Sequence, residues 1–301
     1  MLLLILTTIG FSNDKSQNDW EIYGFQGDVQ SVTQVNYSLI WPNKLGSKKL
    51  MGGNQYVFDK KGRMIEQRWL NSDSSLSLKT TYKRNKKGLE IETKSYRYDK
   101  VLPSMIKKIY DRKGNEVERI SFNSDGSLKE KRVYKYDKND NWTELLIYDQ
   151  DGNLEREATK IYNYDQFGNL IQELALSAKD SFDVKYTIYK YDEKQNLIEK
   201  DEYRQDSSIH GNYFYKYNQS GTLIEEYENY YYSNGKLQEK HSYTYDLKGN
   251  IIEWKWHYSS TDYGKNVYKF KFDKQGNWVE EIEFENGEAE IKSERKIIYY
   301  K

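Results

Sequence analysis

From about residue 54 onward the chain alternates with a period of two. In "KYTIYKYD" (185–192), Tyr186 and Ile188 fall on one side of an extended strand and Tyr189 and Tyr191 on the other. That alternation predicts β-strand. The strands are interrupted by a recurring phrase, for example "YKYDEKQNLIEK" (189–200), which can be aligned on its Asp or Asn position: Asp59, Asn85, Asp111, Asp137, Asp165, Asp192, Asn218, Asp246 and Asp273. The intervals are 26, 26, 26, 28, 27, 26, 28 and 27 residues. Periods of this length mark a tandem array of supersecondary units. Three residues after the anchor stands Gly in seven copies, with Asp140 and Gln195 as exceptions. One before it is aromatic except at Arg84, and three before it is aromatic except at Lys108. Six after it is Ile or Val except at Thr143, and seven after it is Glu, or Gln172 in one copy.

Turn chemistry explains D-x-x-G-N. An Asp or Asn side chain bonds the backbone two residues on, and Gly takes a positive φ without strain. A type I turn followed by a left-handed residue then joins two antiparallel strands with a bulge. Asp59, Asp111, Asp137, Asp165, Asp192, Asp246 and Asp273 are therefore structural turn residues. In this register the aromatic before the anchor faces the residue five after it. The aromatic three before faces the recurring Glu, which predicts a hydrogen bond from Tyr189 to Glu199 and from Tyr215 to Glu225. Looser turns fall midway between anchors, at "FNSDGS" (122), "YDQDGN" (148), "YSNGK" (232) and "FENGE" (284). Two turns per repeat leave strands of about eight to ten residues and no room for a helix within the array. The predicted fold is all-β: about nine tandem antiparallel hairpins forming an extended, curved or spiralling sheet. Closure depends on twist and shear, which no motif records.

Ahead of the array, residues 1–12 form an uncharged apolar run, "MLLLILTTIGFS", with the length of a signal-peptide core but no basic residue before it. Export follows as the expectation. Residues 13–19 read as a polar spacer, and 20–53 as a leading variant repeat or cap, with "DVQSVTQVNYSLI" strand-like and "WPNKLG" a loop. The array occupies 54–301. No stretch is long enough to span a bilayer as a helix.

Composition refines this picture. Mean hydropathy is −1.01, yet 16% of residues are aromatic and 30 are Tyr, whereas disordered chains are poor in aromatics. The charge balance of 47 basic to 47 acidic residues lacks the basic field of a general nucleic-acid binder. It also gives little protection from self-association. With no Cys, disulfides, thiolate catalysis and Cys-ligated zinc are excluded.

The phrases "YKYDEKQNLIEK", "YTYDLKGNIIEW" and "YNYDQFGNLIQE" resemble the YD-repeat (Rhs-like) proteins of bacteria, over about 250 residues. In large members such repeats form a spiralling β-sheet shell around a toxin. With Pro42 and Pro103 the only prolines, no Asp-Pro-x-Gly self-cleavage core is present. The likeness is to a short secreted type lacking a toxin domain.

Candidate chemistry is sparse. D-x-x-G-N offers one carboxylate and a turn, short of the converging oxygens of a calcium loop. Asp149 and Asp151 come nearest. His210, His241 and His257 show no metal-ligand spacing, and neither G-x-S-x-G nor a phosphate-binding loop occurs. No cofactor is expected. In "EWKWHY", Trp254, Trp256 and Tyr258 share one face, with Lys255 and His257 on the other. Such an aromatic row binds sugar rings or packs a sheet face. Glu281, Glu283 and Glu285 also share a face, read as solvated and opposite basic strands. The resulting expectation is a non-catalytic exported protein that binds or scaffolds a protein or glycan partner at the bacterial cell envelope. A carbohydrate or cell-wall binder using aromatic rows is the alternative, and a polysaccharide-active enzyme the minor one.

Overall fold

A computed structural model of the chain describes residues 18–39, 48–98, 102–177, 184–258 and 261–301. The apolar run at 1–12 and the "WPNKLG" loop lie outside them. One short helix, α1 (Asp19–Ile22), precedes β1 (Val29–Ser38). Nine hairpins follow. They are β2 (Lys49–Phe58) with β3 (Met64–Leu70), β4 (Leu76–Arg84) with β5 (Glu90–Arg97), and β6 (Ser104–Tyr110) with β7 (Glu116–Phe122). Next come β8 (Leu128–Tyr136) with β9 (Trp142–Tyr148), β10 (Leu154–Tyr164) with β11 (Leu170–Ser177), and β12 (Tyr186–Tyr191) with β13 (Leu197–Tyr203). The last three are β14 (Ile209–Tyr217) with β15 (Leu223–Tyr231), β16 (Leu237–Tyr245) with β17 (Ile251–His257), and β18 (Tyr263–Phe272) with β19 (Trp278–Glu285). Strand β20 (Glu288–Tyr299) ends the array.

Each anchor residue opens the turn inside one hairpin. At Asp192, Oδ1 accepts from the N–H groups of Lys194 (2.9 Å) and Asn196 (2.8 Å), while the Asn196 amide donates back to Oδ2 (2.9 Å). The same three-way lock recurs in full at Asp165 and Asp246, and two of its contacts hold Asp111. It explains why Asn so often follows the Gly.

The sheet does not remain open, contrary to the expected extended or spiralling form. Every strand pairs with its sequence neighbours, and β1 pairs with both β2 and β20, closing a 20-stranded antiparallel barrel. The closure has a local cause. Val29 lies opposite Tyr299 and Ser31 opposite Ile298, with a bulge between. In β12–β13, Tyr191 likewise lies opposite Leu197 and Lys190 opposite Glu199. The Tyr300 N–H donates to Asp28 O at 2.8 Å, as Asp273 N–H does to Asn277 O at 2.8 Å. Gly27, with φ +76°, occupies the glycine position. "QGDV" (26–29) thus supplies the second half of a hairpin whose first half is "IIYY" (297–300). The two ends of the array complete a split tenth repeat that no contiguous reading of the sequence contains.

The bulge also corrects the expected Tyr–Glu contact. Between the residues five and seven after each anchor the register slips by one, and a one-residue slip sends side chains to the other face. Tyr189 lies opposite Lys200, and Glu199 opposite Lys190; Tyr215 lies opposite Glu226, and Glu225 opposite Lys216. The recurring Glu therefore points outward, onto the Lys between the two aromatics. The pairs are Lys135–Glu144 (2.7 Å), Lys190–Glu199 (2.6 Å), Lys216–Glu225 (2.9 Å) and Lys271–Glu280 (2.7 Å). Where the Lys is Asn163, the Glu is Gln172, and the two amides bond at 2.8 Å. Charge on so many outward positions suits water, since a lipid-facing barrel needs an apolar band about 25 Å tall.

Tyrosine ties one repeat to the next. The hydroxyls of Tyr110, Tyr136, Tyr191 and Tyr217 donate to the carbonyls of Glu90, Glu116, Leu170 and Leu197, at 2.6, 2.7, 2.8 and 2.9 Å. Each acceptor is the residue just before the bulge, where the ladder is interrupted. At the seam the corresponding aromatic, Phe58, has no hydroxyl, and Trp20 Nε1 donates to Val29 O instead (2.8 Å).

The anchor turns gather at one rim of the barrel, and the segment around α1 sits against this rim. Trp20 and Phe25 pack with Val29, Val32, Tyr56, Phe58 and Met64 in the largest buried cluster. Asp19 pairs with Arg84 (2.7 Å), the residue that replaces an aromatic in the repeat. Asn277 bonds the backbone of Gln26 in both directions, at 2.7 and 2.8 Å. A ring of twenty strands is much wider than the eight that side chains alone can fill, so away from this cluster the inner wall borders a lumen.

Candidate functional site

Pairing registers place two continuous rows on the inner wall. One runs Lys200–Tyr213–Glu228–His241–Trp256–Gly264 across β13 to β18. Its neighbour runs Tyr215–Glu226–Tyr243–Trp254–Asn266. One carboxylate thus stands among flat rings in each row, because consecutive hairpins bring the "YFYKY", "EEYENYY" and "HSYTY" strands into register.

The acids are held by phenols. Tyr245 donates to Glu226 Oε2 (2.7 Å), Tyr213 to Glu202 Oε2 (3.0 Å), and both Tyr230 (3.3 Å) and Tyr243 (3.4 Å) to Glu228 Oε2. Burial, reinforced by the neighbouring Glu226 charge, pushes Glu228 up to about 7. Burial also raises Glu226, although the Tyr245 hydrogen bond opposes it. The phenols of Tyr213, Tyr243 and Tyr245 rise well above their usual value, first by burial and then by these same carboxylates. Lys200 is the local cation, 2.7 Å from Glu202 and 4.2 Å above the Tyr213 ring.

Trp254, Trp256 and Tyr258 are brought together here. Trp254 lies parallel to Tyr243 (6.3 Å, 6°) and stacks on His241 (5.9 Å), while Trp256 leans on Trp254 (5.0 Å) and Tyr258 meets His241 edge-on (5.5 Å). Trp254 Nε1 donates to His241 Nδ1 (3.2 Å), and His241 Nε2 faces Glu239 Oε2 (3.4 Å). These two contacts orient the imidazole, with Nδ1 toward the indole N–H and Nε2 toward the carboxylate. Trp256 lies over Gly264, where an added Cβ would come within 2.6 Å of its ring. Only a glycine on β18 lets the indole approach so closely.

The sequence pattern singled out the Trp–Trp–Tyr row but not His241, Tyr243, Glu226 or Glu228. Their alternation is visible in "EEYENYY" and "KHSYTY"; their meeting depends on the bulged register. Glu281, Glu283 and Glu285 also belong to this wall, not to the solvated face expected for them. Phe270, Tyr268 and Asn266 lie opposite them, and burial lifts Glu281 to about 7 despite the opposing charge of Arg295. Outward of the same strands, Lys255 and His257 border a shallow groove of about 610 Å³ with Tyr227, Lys240, Ser242 and Thr244. At Asp149, Oδ1 accepts from the backbone of Asp151 and Asn153 (both 2.9 Å), which is turn chemistry. Among the described residues no group of three or more His, Cys, Asp or Glu is placed to hold a metal, and no helix is long and apolar enough to cross a membrane.

No described protein family matches the sequence, and no curated protein does. Solved structures give loose likenesses. A TcdB2-TccC3-Cdc42 structure is 13% identical with a TM-score of 0.36, covering 80% of this chain and 16% of its own. The Photorhabdus luminescens Tc holotoxin pore is 14% identical with a TM-score of 0.41, covering 87% of this chain and 14% of its own. A porin-like protein from Bacteroides uniformis is 9% identical with a TM-score of 0.33, covering 91% of this chain and 98% of its own. The chain thus spans about a sixth of the length of the toxin-complex chains it matches.

Proposed function

We propose that the protein is a non-catalytic binding or scaffolding module, exported to the bacterial cell envelope, whose ligand-facing surface is the inner wall over β13–β17. One observation carries the reading: in each of two adjacent rows a Glu side chain stands between a Tyr ring on one side and a pair of aromatic rings ending in Trp on the other. Flat apolar rings with fixed acceptors and hydroxyls between them suit a ligand that has apolar faces and hydroxyl edges, as a carbohydrate has. Trp256 and Tyr258 form the lumenal end of this surface. Export rests on the apolar run at 1–12, and kinship to YD-repeat proteins rests on the recurring phrase.

A glycan array probed with the purified protein tests the binding class. Binding to neutral envelope oligosaccharides that disappears in Trp256→Ala, with the far-UV spectrum retained, supports it. Binding that ignores Trp256→Ala points to another surface, and an array without a hit favours a protein partner. Hydrolysis of any envelope polysaccharide by the purified protein would overturn the non-catalytic reading.

A further inference from the structure

We infer that the outer wall carries a second, independent site, for an acidic oligosaccharide of the uronate type, in the groove over β15–β17. The groove exists because small side chains stand between tall ones. Ser242 lies between Tyr227 on β15 and Lys255 on β17, and Thr244 lies between Glu225 and Glu253. One step along the strands, Lys240 lies opposite His257, and His257 stacks on Tyr263 (6.4 Å). Ser242 and Thr244 thus floor a concavity walled by the Tyr227 ring and by Lys240, Lys255 and His257.

Its electrostatics are one-sided on a chain with no net formal charge. No carboxylate lines the groove. The flanking acids are both paired: Glu225 with Lys216 (2.9 Å) and the Tyr227 hydroxyl (2.6 Å), and Glu253 with the groove's own Lys255 and, at 3.6 Å, with Lys265. Lys240 is exposed and makes no ion pair among the described residues. Four lysines (216, 240, 255 and 265) therefore face two glutamates (225 and 253) over this part of the wall. An anionic ligand gains from that surplus.

The dimensions and chemistry favour an acidic sugar over other anions. A volume of about 610 Å³ is that of a small-ligand cleft, whereas nucleic acid calls for an extended line of cations. The Tyr227 ring, anchored through its hydroxyl to Glu225, offers a fixed face for a pyranose. Ser242 and Thr244 offer hydroxyls to its ring substituents. Lys240 offers its carboxylate an ammonium group unpaired among the described residues, and Lys255, shared with Glu253, adds a second positive charge beside it. The site faces away from the lumen and does not depend on the reading given to the inner wall.

Calorimetric titration of the full chain with tetragalacturonate, its methyl ester and a poly-glutamate peptide tests the assignment. Tetragalacturonate is expected to bind, with affinity falling as salt rises, and the methyl ester to bind at least tenfold more weakly. Lys240→Ala and Lys255→Ala should each weaken binding about tenfold. Lys135→Ala, which removes an outward charge on distant β8, should leave it unchanged. Since Lys240 is exposed, its loss leaves the fold intact, so tetragalacturonate binding equally well to Lys240→Ala overturns the proposal. Equal affinity for the methyl ester, tighter binding of the peptide, or no binding of tetragalacturonate overturns it too.

Discussion

Glu228 holds a carboxylate between Tyr230 and Tyr243 with Glu226 on the same face, so Glu228→Gln should flatten part of the protein's pH–stability profile. Gln keeps the size and an acceptor for the two phenols but cannot ionise. Glu228 titrates at about 7 in the fold against its usual 4.5, which corresponds to at most ~3 kcal/mol. Its partial exposure to lumen water screens this to on the order of 1–2 kcal/mol. The sign follows from the raised value. The fold favours the protonated acid, so the stabilisation is complete below about 4.5 and is lost as pH rises through about 7. The assay is thermal unfolding by circular dichroism at pH 5, 6, 7 and 8. Between pH 5 and 8 the wild-type midpoint should fall by about 2–5 °C more than that of Glu228→Gln. Taking the difference between the two proteins cancels Glu281 and Glu290, which titrate in the same range. Parallel profiles would refute the claim that the inner wall holds this acid against its ionisation.

Tyr300 donates its hydroxyl to Phe58 O at 2.6 Å across the seam. Tyr300→Phe should cost about 1–2 kcal/mol and lower amide protection in β1, β2 and β20, whereas Tyr217→Phe should loosen β12–β15; hydrogen exchange distinguishes them. Gln195 takes φ +67° at the turn position where other repeats have Gly, so Gln195→Gly should raise stability by up to ~1 kcal/mol in urea titration. Asp140, at φ +65°, accepts from Lys113 (3.1 Å) and the Asn115 amide (2.9 Å). Asp140→Gly should therefore gain less or lose stability, and an equal gain would mean that those contacts contribute nothing.

Repeat length, turn position and strand content were legible because each is local. Asp192 and Asn196 lie four residues apart, and their bonds can be anticipated from side-chain chemistry alone. The facing of Glu199 was not legible, since it depends on one bulged residue, Ile198, whose effect is to slide every later side chain to the opposite face. Closure was hidden for a different reason. Val29 and Tyr299 belong to one hairpin but stand at opposite ends of the array, so "QGDV" reads as a lead-in until "IIYY" is placed beside it. The Trp254–Trp256–Tyr258 row was visible as a period of two within one strand. The ring stack with His241 and Tyr243, and the acids among it, needed the register of three strands at once.

The split repeat makes ring closure a competition. Nine hairpins can form from near neighbours, but β20 meets β1 only after the whole array is in place, and until then each presents an unpaired edge. Those two edges are complementary, so the β20 of one molecule fits the β1 of another as well as its own. Closure within a molecule draws on a high effective concentration, whereas joining between molecules grows with protein concentration and leads to head-to-tail chains that need not close. Dilute refolding should give single rings, and crowded refolding a ladder of linear multimers built from the same hairpin.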